Sequence, residues 1–155
     1  MKIHHTAICT RDLEGSLRFW RDGLGLVEQM NGTFEGDWPT LFGASDSSLH
    51  SIFLGDPADP TGGFIELVEF PSDVGEEGAL ASEPRIGFFL VSMFVDLDAT
   101  LARLRALGIT NTVGPVDVEP SSRIMVAFDP NGVRVELINA EQADILSGWL
   151  SSQKN

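Results

Sequence analysis

Residues 129–138 read Asp129-Pro130-Asn131-Gly132-Val133-Arg134-Val135-Glu136-Leu137-Ile138. Proline sets φ and Asn-Gly tolerates positive φ, so the first four residues predict a tight turn. The alternating residues after it predict a strand in which one carboxylate, Glu136, stands among apolar neighbours. The same pattern occurs earlier in Phe64-Ile65-Glu66-Leu67-Val68-Glu69-Phe70, with Glu66 in the place of Glu136. Self-similarity at this scale fixes architecture, because it divides the chain into two copies of one unit.

Working back from each of these strands, the copies share a beginning. The first opens with an apolar strand from Ile3 to Cys9, then Asp12 as a helix cap and Leu13, Leu17, Trp20 and Leu24 as an apolar stripe, closed by Gly23 and Gly25. The second opens with a strand from about Ile86 to Val95, then Asp96 as the cap and Leu97, Leu101 and Leu104 as the stripe. Gly108 ends that helix, and a strand at Arg123 to Phe128 leads into the turn. The span from Asp12 to Glu66 is 14 residues longer than that from Asp96 to Glu136, so the first copy carries an insertion, placed within 31–62. Its apolar pieces near Leu41-Phe42 and Ile52-Phe53-Leu54 read as strands, and a loop there would shape a binding site.

The expected fold is α+β, with two βαβββ modules forming curved mixed sheets around an open cleft. One domain spans 1–155: module 1–70, an exposed linker 71–84, module 85–139 and a C-terminal amphipathic helix 140–150, which serves its own domain or a dimer contact.

Composition narrows the function. A net charge of −13 argues against nucleic acid as a partner, and Arg18, Arg21, Arg103 and Arg105 have the spacing of solvated helix faces. No apolar run reaches membrane-spanning length, and the N-terminus lacks a secretory pattern, so no membrane partner and a cytoplasmic location are expected. The one cysteine, Cys9, reads as a small buried residue of an apolar strand. Elbow, P-loop and dinucleotide motifs are absent.

Three polar residues, His5, Glu66 and Glu136, occupy otherwise apolar strands. A carboxylate loses its hydration when buried unless a cation or strong donors replace it, and a divalent ion would do so. Each residue also has a plainer reading, as a satisfied core histidine or a solvent-facing glutamate. The matched places of the two glutamates favour a shared role.

Together, His5-Thr6-Ala7-Ile8, Asp12-Leu13, Phe19-Trp20, Leu24-Gly25-Leu26, Ile65-Glu66-Leu67 and the run from Asp129 to Leu137 resemble the vicinal-oxygen-chelate superfamily, the group of glyoxalase I, extradiol dioxygenases and bleomycin resistance proteins. The resemblance covers residues 3 to 139. It implies a metal ligand from the first and last strand of each module: His5, Glu66 and Glu136 fall on three of these positions. The remaining one, usually histidine, falls near Leu90, which has no donor atom. His4, His5 and His50 are the only histidines, so the usual two-histidine site is not rebuilt in the expected positions.

Three readings follow from the resemblance. In the leading one, a divalent ion (Zn, Mn, Fe or Ni) sits on His5, Glu66 and Glu136, and the protein is a glyoxalase-like lyase or isomerase of a small, oxygenated, rather apolar substrate. Glu66 or Glu136 then carries the proton. In the second, His50 adds a nitrogen ligand. His4 is expected on the opposite sheet face from His5. In the third, the protein binds an apolar molecule without metal, as drug-sequestering members do, using surface from Phe88, Phe89, Leu90, Met93, Phe94, Trp20 and Trp38. An extradiol-type dioxygenase ranks below these. A homodimer is expected, with each site within one chain or shared between subunits.

Overall fold

Both helix caps form as their sequences dictate. In the computed structural model, which describes residues 3–59, 62–72, 86–118 and 122–139, the Asp12 carboxylate accepts from Gly15 N at 2.8 Å and that of Asp96 from Ala99 N at 2.9 Å. Each bond satisfies one of the backbone donors that a helix start leaves open. A Cβ at Gly15 would fall on the Asp12 carboxylate, so the first cap also requires glycine there.

The chain divides into two units, Met1–Ala79 and Leu80–Asn155. In the first, β1 (His5–Cys9) leads through α1 (Leu13–Leu17) and a π-helical extension (Arg18–Gly23) to β2 (Val27–Glu35), α2 (Trp38–Phe42), β3 (Ser48–Gly55) and β4 (Phe64–Glu69). The second runs β5 (Val91–Val95), α3 (Leu97–Ala106), β6 (Thr112–Val118), β7 (Ser122–Phe128) and β8 (Arg134–Asn139). The sheet orders are β1-β4-β3-β2 and β5-β8-β7-β6, each with one parallel pair, β1 with β4 and β5 with β8. This is the expected α+β fold of two βαβββ modules. The linker expected at 71–84, apart from its first two residues, and the helix expected at 140–150 lie outside the described residues.

Each sheet covers one face with its helix. In the first unit Ile8, Ile52, Leu54, Ile65 and Leu67 are buried on the side where α1 packs on β4, together with Phe19, Trp20 and Leu24. In the second, Met125, Ala127, Val135 and Leu137 are buried with Leu97 and Leu104 of α3. Among the described residues no helix is long and apolar enough to cross a membrane.

Four expectations are corrected. Leu41-Phe42 belongs to α2 and not to a strand, because Asp37 caps it by accepting from Thr40 N at 3.2 Å, Pro39 suits a first helical turn, and Gly43 closes it at φ +69°. The second module's first strand starts at Val91, where its parallel pairing with β8 begins at Val135, and residues 86–89 precede the first residue of β8 in that register. In the stripe of the first helix Trp20 and Leu24 are buried as expected, but Leu13 and Leu17 are half-buried and Phe19 joins the inner face. The wider π turn, in which Leu24 N donates to Phe19 O, brings an extra residue onto the inner face. Cys9 is exposed, because the alternation of β1 that buries Ile8 turns Cys9 to the uncovered face.

A candidate acid–base site in the first-unit cleft

The uncovered face of the first sheet is decided by register. Ala7 pairs with Glu66 and Phe53 also pairs with Glu66, so His5, Ala7 and Cys9 of β1, Ser51 and Phe53 of β3, and Glu66 and Val68 of β4 share that face. The insertion supplies a wall above it. β2 and β3 are joined through α2 and residues 43–47, and Asp46 ties this excursion to the end of β4 by accepting from Ser72 N at 2.9 Å. Together they enclose a cleft of about 930 Å³, with Phe34, Trp38, Phe42, Phe53 and Phe70 among its lining and His5 and Glu66 on its floor.

The floor is a chain of hydrogen-bonding groups. His5 Nε2 lies 3.2 Å from Glu66 Oε2, and the wholly buried Ser51 hydroxyl donates to Glu66 Oε1. His5 Nδ1 lies 2.8 Å from His4 Nδ1. A neutral imidazole has one donor and one acceptor nitrogen, and one proton assignment satisfies every member. His4 Nδ1–H donates to His5 Nδ1, His5 Nε2–H faces Glu66 Oε2, and Ser51 holds the other oxygen. Glu66 is 12% exposed, so these two donors stand in for much of the water it has lost. The thiol of Cys9, exposed to the cleft but partly desolvated by its surroundings on the same face, is pushed up by that desolvation and then by the negative charge of Glu66.

The sequence-predicted residues are placed as follows. His5 and Glu66 meet. His50 stands on the opposite face of the sheet, with Nε2 2.8 Å from Asn31 Oδ1 and Nδ1 3.9 Å from Glu69, so it is not brought to them. Its parity within β3, shared with Ile52 and Leu54, is the physical reason. Glu136 lies on β8 of the second unit and accepts from the Ser92 hydroxyl at 2.7 Å. Ser92 pairs with Glu136 as Ala7 pairs with Glu66, so Leu90, two residues before Ser92, takes the place His5 has before Ala7. His4, expected on the far face, precedes β1 and escapes its alternation. Its ring lies edge-on to those of His5, Phe53 and Phe64. Trp20 is core, whereas Trp38 lines the cleft.

Sequence reading missed Ser51. A small polar residue between His50 and Ile52 in an apolar strand was the available signal, and the hydroxyl's partner is distant in sequence. For a metal ion the donors fall short: among the described residues no three His, Cys, Asp or Glu side chains gather into a set able to hold one. The first unit brings together two adjacent imidazoles, His4 and His5, and one carboxylate, which already accepts from Ser51 and faces His5.

A fold of paired βαβββ modules is matched by the comparisons. The family model described as the Glyoxalase/Bleomycin resistance protein/Dioxygenase superfamily matches residues 2–137, and the chain belongs to this family. It is 38% identical to the lactoylglutathione lyase-like protein terB of Aspergillus terreus, over 88% of this chain and 74% of that one. Its fold is that of a glyoxalase family protein from Bacillus cereus, with TM-score 0.73, 22% identity and coverage of 90% and 93% of the two chains. It also matches TnmS3, an antibiotic binding protein from Streptomyces sp. CB03234, with TM-score 0.55, 18% identity and coverage of 90% and 95%.

Proposed function

We propose that the protein is a glyoxalase-like lyase or isomerase that moves a proton at the carbon beside a carbonyl in a small, oxygenated, rather apolar molecule. Glu66 is the base and His5 its partner. The observation that carries this reading is a mostly buried carboxylate at the floor of an aromatic cleft, gripped at both oxygens by His5 and Ser51. A base held in one orientation over a bound carbon acid needs no reorganisation as the proton moves, and such catalysis supplies about 10²- to 10⁴-fold.

In the step proposed, the C–H proton passes to Glu66 Oε2 and the bonding pair moves into the carbonyl as an enolate. Return of the proton to a neighbouring atom gives isomerisation, whereas expulsion of a leaving group from the next carbon gives a lyase. His5, with Nε2–H facing Oε2, orients the carboxylate for the transfer. A divalent ion such as Zn, Mn, Fe or Ni would polarise the carbonyl as a Lewis acid. The donors for it are His5 and Glu66 in one unit and Glu136 in the other, fewer than three within either, and no step above depends on the ion.

The test is α-proton exchange of 2-tetralone in D₂O, followed by NMR, with elemental analysis of the same protein. Wild type accelerates exchange and Glu66→Gln does not; equal rates for the two would sink the assignment of the base. A second reading, metal-free binding of an apolar molecule, is favoured by the aromatic lining itself, and retention of 2-tetralone without exchange would select it. The homodimer and cytoplasmic location belong to the same reading, and sedimentation velocity checks the first.

A further inference from the structure

We infer that the occupant of the first-unit cleft is a neutral, flat aromatic compound carrying a carbonyl or hydroxyl oxygen, and not a glutathione adduct or other multiply anionic conjugate. This deepens the proposed function and rests on its reading of the cleft as the substrate site.

The lining of the cleft includes an aromatic shelf of two stacked rings, each covering one face of the other. Trp38 and Phe42 are stacked within 2° of parallel, their centroids 5.5 Å apart. The shelf is held in place: Trp38 Nε1–H donates to Phe34 O at 3.1 Å, and a side chain at Gly36 would meet the Trp38 indole at 2.8 Å. Phe42 nevertheless leaves 61% of its surface exposed. An exposed aromatic ring lining a cleft gains by burial when an apolar surface covers it, and a flat ring system covers it most completely. The volume of about 930 Å³ admits a ligand of several fused rings.

Charge selects among flat ligands. The ionisable acids lining the cleft are Asp46 and Glu66, and among its described lining residues there is no lysine or arginine. Carboxylates of a glutathione adduct would sit beside two like charges with no lysine or arginine among the described lining to receive them, where the apolar walls weaken screening. The net charge of −13 adds repulsion at longer range. A neutral ligand escapes both penalties. Its polar oxygen meets the one polar region, at His5, Ser51 and Glu66, and its rings lie along Trp38 and Phe42.

Calorimetric titration of the full chain with three probes tests this: 2-tetralone, tetralin-2-carboxylate as the anion of the same bicycle, and S-lactoylglutathione. Expected are measurable binding of 2-tetralone, affinity for the carboxylate lower by about 30-fold or more, the scale of one poorly screened like-charge contact, and no binding of S-lactoylglutathione. Trp38→Ala should weaken 2-tetralone by about tenfold, the scale of a lost aromatic contact, and Trp38→Phe should recover most of it, separating a lost shelf from a lost fold. The inference is overturned by failure of 2-tetralone to bind, by S-lactoylglutathione binding as tightly, by equal affinities for ketone and carboxylate, or by an unaltered Trp38→Ala. If S-lactoylglutathione binds and Glu66-dependent turnover persists, the ligand class fails and the proposed reaction stands. If 2-tetralone binds selectively and undergoes no exchange, the reverse holds.

Discussion

His4 Nδ1 lies 2.8 Å from His5 Nδ1, two nitrogens of one kind facing each other, so only one of them can carry the shared proton. With the proton on His4, His5 keeps its own on Nε2, toward Glu66. His4 is thus a positioning residue that selects the useful tautomer of its neighbour.

His4→Leu is expected to lower kcat for α-proton exchange about tenfold with KM little changed, the signature of an interaction needed in the transition state and not for binding. His4→Asn keeps a donor near the Nδ1 position and should retain most of the rate. Equal loss in both variants would assign His4 a packing role alone.

Ser51 is wholly buried and donates to a carboxylate, so Ser51→Ala leaves Glu66 short of a donor in a place water reaches poorly. Destabilisation of about 1–3 kcal/mol follows from an unsatisfied buried acceptor. Ser92→Ala, which breaks the exposed counterpart with Glu136, should cost less, because water can replace the hydroxyl. Urea denaturation of the two variants gives the comparison; equal midpoints would refute the difference in burial.

Asp129 organises the turn before β8. It is 3% exposed and accepts from Asn131 N at 2.9 Å, Asn131 Nδ2 at 3.0 Å and Val133 N at 2.8 Å, while Gly132 takes φ +82°. Asp129→Ala strands these donors, and a loss of about 2–3 kcal/mol is expected. Thermal unfolding measures it, and a melting temperature unchanged from wild type would contradict the network.

Cys9 lines the cleft with its thiol pushed up by partial desolvation and then by Glu66. The raised value keeps the group in the unreactive thiol form at neutral pH. Iodoacetamide should therefore label it more slowly than free cysteine at pH 7, with the rate rising as pH passes the ordinary thiol range. Glu66→Gln removes the second cause and should speed labelling modestly, and 2-tetralone should protect. Mass spectrometry follows the modification; labelling that ignores 2-tetralone would place the ligand elsewhere.

Much of this was legible in the residues themselves. Asp12 and Asp96 announce helix starts because a cap is a contact over three residues. Glu66 and Glu136 announce a repeated strand because alternation is local, and the run from Asp129 to Gly132 announces its turn for the same reason. What depended on distant partners was not legible. Leu41-Phe42 alternates too briefly to separate strand from helix, and the π turn that carries Phe19 inward shows no signature in a 3.6-residue pattern.

The amino-acid sequence by itself therefore determined the two modules, their caps, and His5, Glu66 and Glu136 as the polar residues of otherwise apolar strands. Only the tertiary structure decided which face each residue occupies: His50 away from His5, Cys9 toward the cleft, Ser51 under Glu66, and Trp38 in the cleft lining. The reason is register. Side chains on one strand alternate by a local rule, but which of them meet across strands is set by pairings such as Ala7 with Glu66 and Phe53 with Glu66, between residues far apart along the chain.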